Sequence, residues 1–228
     1  VEKPLVYVAS DGEWIWVIDL EKKDLVKTIE MPTGALLTIA NTKKRVIANS
    51  AMFFRNALMI YDKDTGEIET VRFGLWRMWK SFGFSFHVAA DPARERAFVA
   101  TSFECAVYMV DLETGRTVWR YQLPVGVRDM TYDTRRDILY ASNFVDGYVY
   151  KIGASGDRPE YKGRFYIGRR LRYFNYEPDE DVFLSASTNG FHMYDPEPDG
   201  SAAEDISAGE EMQFPGDAPG QSDERSED

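Results

Sequence analysis

The 228-residue chain is 44% hydrophobic and 29% charged, with one Cys, two His and a formal charge of −11, the balance of a soluble chain with apolar material for one well-buried domain or two small ones. Cys105 alone excludes an intramolecular disulfide and a thiolate cluster for zinc or iron–sulfur, and His87 with His192 cannot build a multi-histidine metal site. No run approaches 18 apolar residues, and Val1-Glu2-Lys3-Pro4 has neither an initiator Met nor a signal-peptide pattern, so the chain reads as a mature or excised piece.

The charge is unevenly placed. Residues 195–228 hold twelve Asp or Glu against Arg225, leaving 26 residues of each sign in residues 1–194. A formally neutral body with no basic stripe argues against nucleic acid as a partner. The segment from Pro196 onward, rich in Gly, Ser, Ala, Pro and acids, reads as a disordered acidic tail.

Taken in chain order, short apolar segments recur in one sequence of events. LVYVAS (Leu5–Ser10) is followed by WVIDL closing near Asp19, then DLVKTIEM. After Gly34 come RVIANS (Arg45–Ser50), LMIYD ending at Asp62, and EIETVRFG. After Gly83 come RAFVATS (Arg96–Ser102), VYMVDL closing near Asp111, and RTVWRYQL. After Gly126 come ILYASN (Ile138–Asn143), YVYKIG ending at Gly153, and YKGRFYIG. After Gly168 come VFLSAS (Val182–Ser187) and FHMYD ending at Asp195. The closing marks at 19, 62, 111, 153 and 195 are spaced by 43, 49, 42 and 42 residues. Turns follow them at Asp62–Gly66, Asp111–Gly115 and Gly153–Gly156, where Asp and Thr accept backbone N–H bonds and Gly takes the positive-φ position.

Four short strands per unit of about 42 residues, without helical periodicity, predict an all-β chain of four-stranded antiparallel propeller blades. The units run approximately 1–33, 34–82, 83–125, 126–167 and 168–195. The first lacks an opening strand and the last a closing one, which gives 18 strands and leaves the ring two short unless Glu211–Pro215 supplies one. A piece of a larger propeller of six to eight blades is therefore expected ahead of a closed five-bladed ring, because an open ring leaves strand edges and blade faces uncovered.

The stretches VYVASDGEWIWVIDLEKKDLVKTIEM and RAFVATSFECAVYMVDLETGRTVWRYQLPVGVRDMTYDTRRDILYASN resemble the YVTN-type (WD40-like, YncE-like) propeller repeat over roughly residues 5–195. That resemblance implies the propeller fold and an extracytoplasmic or periplasmic location. It is permissive about activity, since such propellers include binding scaffolds, lactonases, lyases and subunits of redox enzymes.

The innermost strand of a blade begins near the mouth of the central channel. In this phase the residues there include His87, Arg128, Asp129, Arg169, Arg170 and Arg172. Converging guanidiniums suit a carboxylate or phosphate through forked hydrogen bonds; the alternative is that Arg128 and Asp129 serve blade junctions and the other arginines are solvated. His87 among aromatics is either a hydrogen-bonded core residue or part of that mouth. The longest spacing contains Trp76, Arg77, Trp79 and Lys80, residue types that form binding hot spots, but that also pack as a cap or meet a membrane surface. Asp91, Asp129, Asn175 and Glu177 are positional candidates for a channel metal.

No nucleophile stands at a motif spacing from a base, and no C-x-x-C-H or other cofactor signature is present. The expectation is a non-catalytic recognition or scaffold module, with no cofactor, that binds a protein partner or a small anionic ligand and pairs with the missing part of its own propeller. The alternatives are a metal-dependent propeller enzyme of the lactonase or lyase type, and a structural subunit of a membrane or cell-envelope assembly.

Overall fold

The computed structural model describes residues 4–10, 12–32, 36–50, 57–72, 85–101, 104–187 and 190–194, and among these there is no helix. Eighteen strands form five antiparallel sheets, each hydrogen-bonded in chain order. Sheet 1 holds β1 (Leu5–Ala9), β2 (Trp14–Asp19) and β3 (Asp24–Glu30), and sheet 2 holds β4 (Leu36–Asn41), β5 (Arg45–Ser50), β6 (Ala57–Asp62) and β7 (Ile68–Arg72). Sheet 3 holds β8 (Ser85–Asp91), β9 (Arg96–Thr101), β10 (Ala106–Asp111) and β11 (Arg116–Gln122). Sheet 4 holds β12 (Val127–Asp133), β13 (Ile138–Asn143), β14 (Tyr148–Gly153) and β15 (Glu160–Tyr166), and sheet 5 holds β16 (Tyr173–Glu177), β17 (Val182–Ser187) and β18 (Gly190–Tyr194).

These sheets are the five blades of a β-propeller. The inner strands β4, β8, β12 and β16 pack on one another from sheet to sheet, and β1 packs on β4. No comparable packing joins β16 to β1 among the described residues. Trp76, Arg77, Trp79 and Lys80 lie outside the described residues, as do Glu211–Pro215 and the rest of the acidic tail.

Sequence pattern explains the position of each strand within its blade. A strand sandwiched between two neighbouring sheets must be apolar or small on both faces, and β5, β9, β13 and β14 are buried at every residue after the first. The outer strands β3 and β15 are mostly exposed and carry the charges. Each junction has its own core. Ile15, Val17, Met31, Val46 and Met59 fill the first, and Ile47, Leu58, Val99 and Val110 the second. Phe98, Met109, Met130 and Leu139 fill the third, and Tyr140, Phe174, Tyr176 and Phe183 the fourth. Phe183 has no exposed surface and stands at the centre of four ring contacts, the nearest with Tyr140 at 4.5 Å; truncation of such a side chain costs about 3–5 kcal/mol.

The outer turns follow their sequence chemistry in two of three cases. Asp62 Oδ1 accepts the N–H groups of Asp64 and Thr65, and Asp111 Oδ1 those of Glu113 and Thr114, while Gly66 and Gly115 take φ of 77° and 65°. The Gly153–Gly156 segment differs: Gly156 does not take a positive φ, and the left-handed glycine of that hairpin is Gly163, at φ 124° beside the register shift between β14 and β15. In sheet 1, whose turn has no Gly, Lys23 takes φ 54° and Asp19 caps the turn through Glu21 and Lys22.

Candidate functional site

Two sets of polar contacts tie the blades together, and they engage several of the candidate residues. At the C-terminal ends of the inner strands, buried Asp91 and Asp133 cap their own turns and bind Arg94 at 3.1 Å and Arg136 at 2.7 Å. Those arginines then reach across to the next sheet. Arg94 pairs with Asp137, and Arg136 with Asp181 at 2.8 Å, where Tyr176 and Arg135 join the group. Arg45 and Thr42 meet Glu95 in the same way one junction earlier, at 3.2 and 2.7 Å. The guanidinium contacts lower the pKa of Asp137 and hold that of Asp181 well below the usual carboxylate range.

The second set lies on the inner strands. β4, β8 and β12 each bulge near their start. Just inside the bulge Thr38, His87 and Asp129 accept the backbone N–H of Val88, Met130 and Phe174 on the following sheet, at 3.0, 3.2 and 3.0 Å. These three residues are structural equivalents, so His87 and Asp129 occupy a junction position. His87 Nε2 lies 3.7 Å from Asp129 Oδ1. His87 keeps 23% of its side chain in solvent, yet protein surrounds it closely enough that desolvation lowers its pKa against the opposing pull of Asp129. Desolvation raises that of Asp129, with His87 pulling the other way.

The arginines are arranged differently. Asn143, the buried last residue of ILYASN, donates through Nδ2 to the carbonyls of Pro124 and Val125, at 3.3 and 3.1 Å, and accepts the N–H groups of Val145 and Asp146. It thereby fastens the loop before β12 to the loop after β13. Phe144 N–H donates to Gly126, and Arg170 N–H donates to Phe144, at 2.8 and 2.9 Å, which adds the loop before β16 to the same cluster. Gly126 must be glycine, because its φ is 111° and a Cβ would stand 2.4 Å from Asn143 Oδ1.

Three interlocked loops thus bring two guanidiniums to one aromatic ring. The Arg128 and Arg172 guanidinium carbons lie 5.4 and 5.8 Å from the Phe144 ring centroid, within cation–π range. Arg169, Arg170 and Arg172 are exposed and have no carboxylate partner among the described residues, unlike Arg45, Arg94, Arg135 and Arg136. The structure therefore gathers Arg128 and Arg172 on Phe144, places Arg169 and Arg170 on the adjoining bend, and assigns His87 and Asp129 to the junctions. Phe144 was not singled out from sequence; its place directly after the strand-ending Asn143 is the signal that would have found it.

The remaining candidates have structural roles. Cys105 is buried and sits at φ 48°, and His192 is half-buried with its ring 6.0 Å from that of Tyr194. Of the metal candidates, Asp91 is committed to Arg94 and its turn, and Asp129 to Phe174. Among the described residues no group of three His, Cys, Asp or Glu side chains gathers to hold a metal ion. No protein-family model matches this sequence, and no curated protein matches it at a significant level. Fold and site define a five-bladed β-propeller arrangement with a cationic loop cluster at the start of its inner strands.

Proposed function

We propose that this YVTN-like propeller is a non-catalytic recognition module that binds an anionic group, on a small ligand or a protein partner, over Arg128, Arg169, Arg170 and Arg172. The reading rests on one observation: the Arg128 and Arg172 guanidiniums both lie within cation–π range of the Phe144 ring, while Arg169, Arg170 and Arg172 pair with no carboxylate among the described residues. Stacking on the ring holds the guanidiniums in place, and a forked donor matches carboxylate or phosphate oxygens two at a time. The loops beneath are fixed by Asn143 and Gly126, so little ordering entropy is lost when an anion binds.

The test is calorimetric titration with inorganic phosphate, citrate and a polyglutamate peptide, each at low and moderate salt. Binding that weakens with salt and falls at least tenfold in Arg128→Ala/Arg172→Ala, with Arg172→Lys between the two, is the expected result. Failure of all three probes to bind, or binding that the double variant leaves unchanged, would overturn the proposal. Preference for the peptide over citrate and phosphate would assign the site to a protein partner.

A further inference from the structure

The large apolar side chains that remain exposed are not spread evenly round the propeller. Sheet 3, in the middle of the arc, exposes none among its described residues, whereas the two end sheets expose most of them. On sheet 1 the strand register puts Val6, Val8, Trp14, Trp16 and Ile18 on one face, opposite the face that packs on sheet 2, and Trp16 is 44% exposed. On sheet 5 it puts Tyr173, Val182, Leu184, Phe191 and Met193 on the face turned away from sheet 4, and Met193 is 50% exposed.

These faces are matched to one another by the repeat. In the junction between sheets 4 and 5, Ile138, Tyr140 and Val149 of the earlier sheet meet Phe174, Phe183 and Tyr194 of the later one. By strand register, Val182, Leu184 and Phe191 on the bare face of sheet 5 hold the places of Ile138, Tyr140 and Val149. Val6 and Ile18 on the bare face of sheet 1 hold the places of Phe183 and Tyr194. Each bare face thus repeats the apolar strand positions from which the chain builds the cores between its own sheets.

We propose that this chain associates head to tail with a second copy of itself, the bare face of sheet 5 packing on the bare face of sheet 1. A contact between two different faces leaves one of each free at the ends, so association continues with concentration unless the ring closes. Contiguous apolar faces of this kind are where soluble proteins meet partners, and they are also the aggregation hazard of an open sheet stack.

Sedimentation velocity of the 228-residue chain over a wide concentration range tests the proposal, with two variants that each spoil one face, Trp16→Glu and Met193→Glu. Wild type is expected to form dimers and longer species. Each variant alone is expected to stay monomeric, and an equimolar mixture of the two to form a dimer and stop there, because each contributes one intact face. Recovery of the dimer in the mixture also shows that both variants fold. A wild-type chain that is monomeric throughout, variants that still self-associate, or a mixture that stays monomeric would overturn the assignment. So would protection of Trp16 and Met193 from hydroxyl-radical labelling within a monomeric longer polypeptide, which would mean that blades of the same polypeptide cover these faces.

Discussion

Asp129 on β12 accepts the backbone N–H of Phe174 on β16 at 3.0 Å, so a side chain of one blade holds the innermost strand of the next. His87 and Met130, and Thr38 and Val88, repeat the relationship at the two preceding junctions. These three junctions are therefore joined by apolar cores and by directed polar bonds from the inner strands.

Replacing Asp129 with Ala leaves the Phe174 N–H without its acceptor in a half-buried site. The expected loss is about 1–3 kcal/mol, read as a lower urea midpoint at unchanged slope. Asp129→Asn keeps an acceptor and removes a charge whose burial is unfavourable, as the raised pKa records. Its midpoint should stay close to wild type. Equal losses in the two variants would show that the bond to Phe174 is not the contribution that matters.

His87 makes the same junction sensitive to pH. Its Nδ1 accepts the Met130 N–H, which requires the neutral ring, and desolvation lowers its pKa from the ordinary 6.5. The unfolded chain therefore takes up this proton first, and stability falls as pH drops below about 6.5, by at most about 1.4 kcal/mol per pH unit. His87→Asn should lose less stability than wild type between pH 7 and pH 5. Parallel urea midpoints for the two proteins across that range would remove His87 as the cause.

Much of this was legible in the sequence, and the boundary between what was and what was not is physical. The five sheets follow from segments such as RVIANS and ILYASN because a strand buried on both faces needs an unbroken apolar or small run, which few other structures tolerate. The 3-4-4-4-3 strand pattern was likewise visible, since it depends on local order alone. The roles of His87 and Asp129 were not, because they depend on inner-strand bulges that swing them toward the next blade and have no residue signature. Arg94 to Asp137 and Arg136 to Asp181 were equally hidden, being contacts between units 43 and 45 residues apart. The arginines can be named from sequence, but the ring that Arg128 and Arg172 share, Phe144, is one apolar residue among many until three loops meet on it.

The junction ion pairs carry a pH dependence of the same sign as that of His87, displaced to lower pH. Hydrogen bonding to Arg136 first, and then to Tyr176, lowers the pKa of Asp181, so the stability it confers is present above the unfolded value near 4 and is lost as pH falls through the folded value. Asp181→Asn should lower the urea midpoint at pH 7 by less than Asp129→Ala does, because the pair is solvent-screened. The difference from wild type should shrink steadily as pH falls below about 4, where the unfolded carboxylate takes up its proton first. A gap of constant size at every pH would mean that the variant acts through packing.

Gly126 links stability to the proposed binding surface. Its φ of 111° disfavours any side chain, and an added Cβ would meet Asn143 Oδ1 at 2.4 Å and Val145 Cγ2 at 2.6 Å. Asn143 cannot yield without releasing the N–H groups of Val145 and Asp146 and the carbonyls of Pro124 and Val125. Gly126→Ala should cost about 1–3 kcal/mol and lower Tm by several degrees. It should also weaken anion binding, because Phe144 donates its N–H to Gly126 and moves with it. Gly66→Ala is the matched control: its φ of 77° brings similar strain, but nothing lies within 4 Å of the added carbon and the turn is remote from the arginines. Loss of stability in both variants, with loss of binding only in Gly126→Ala, is the expected result. Binding that survives in Gly126→Ala would separate the arginine surface from the loop geometry that is argued to hold it.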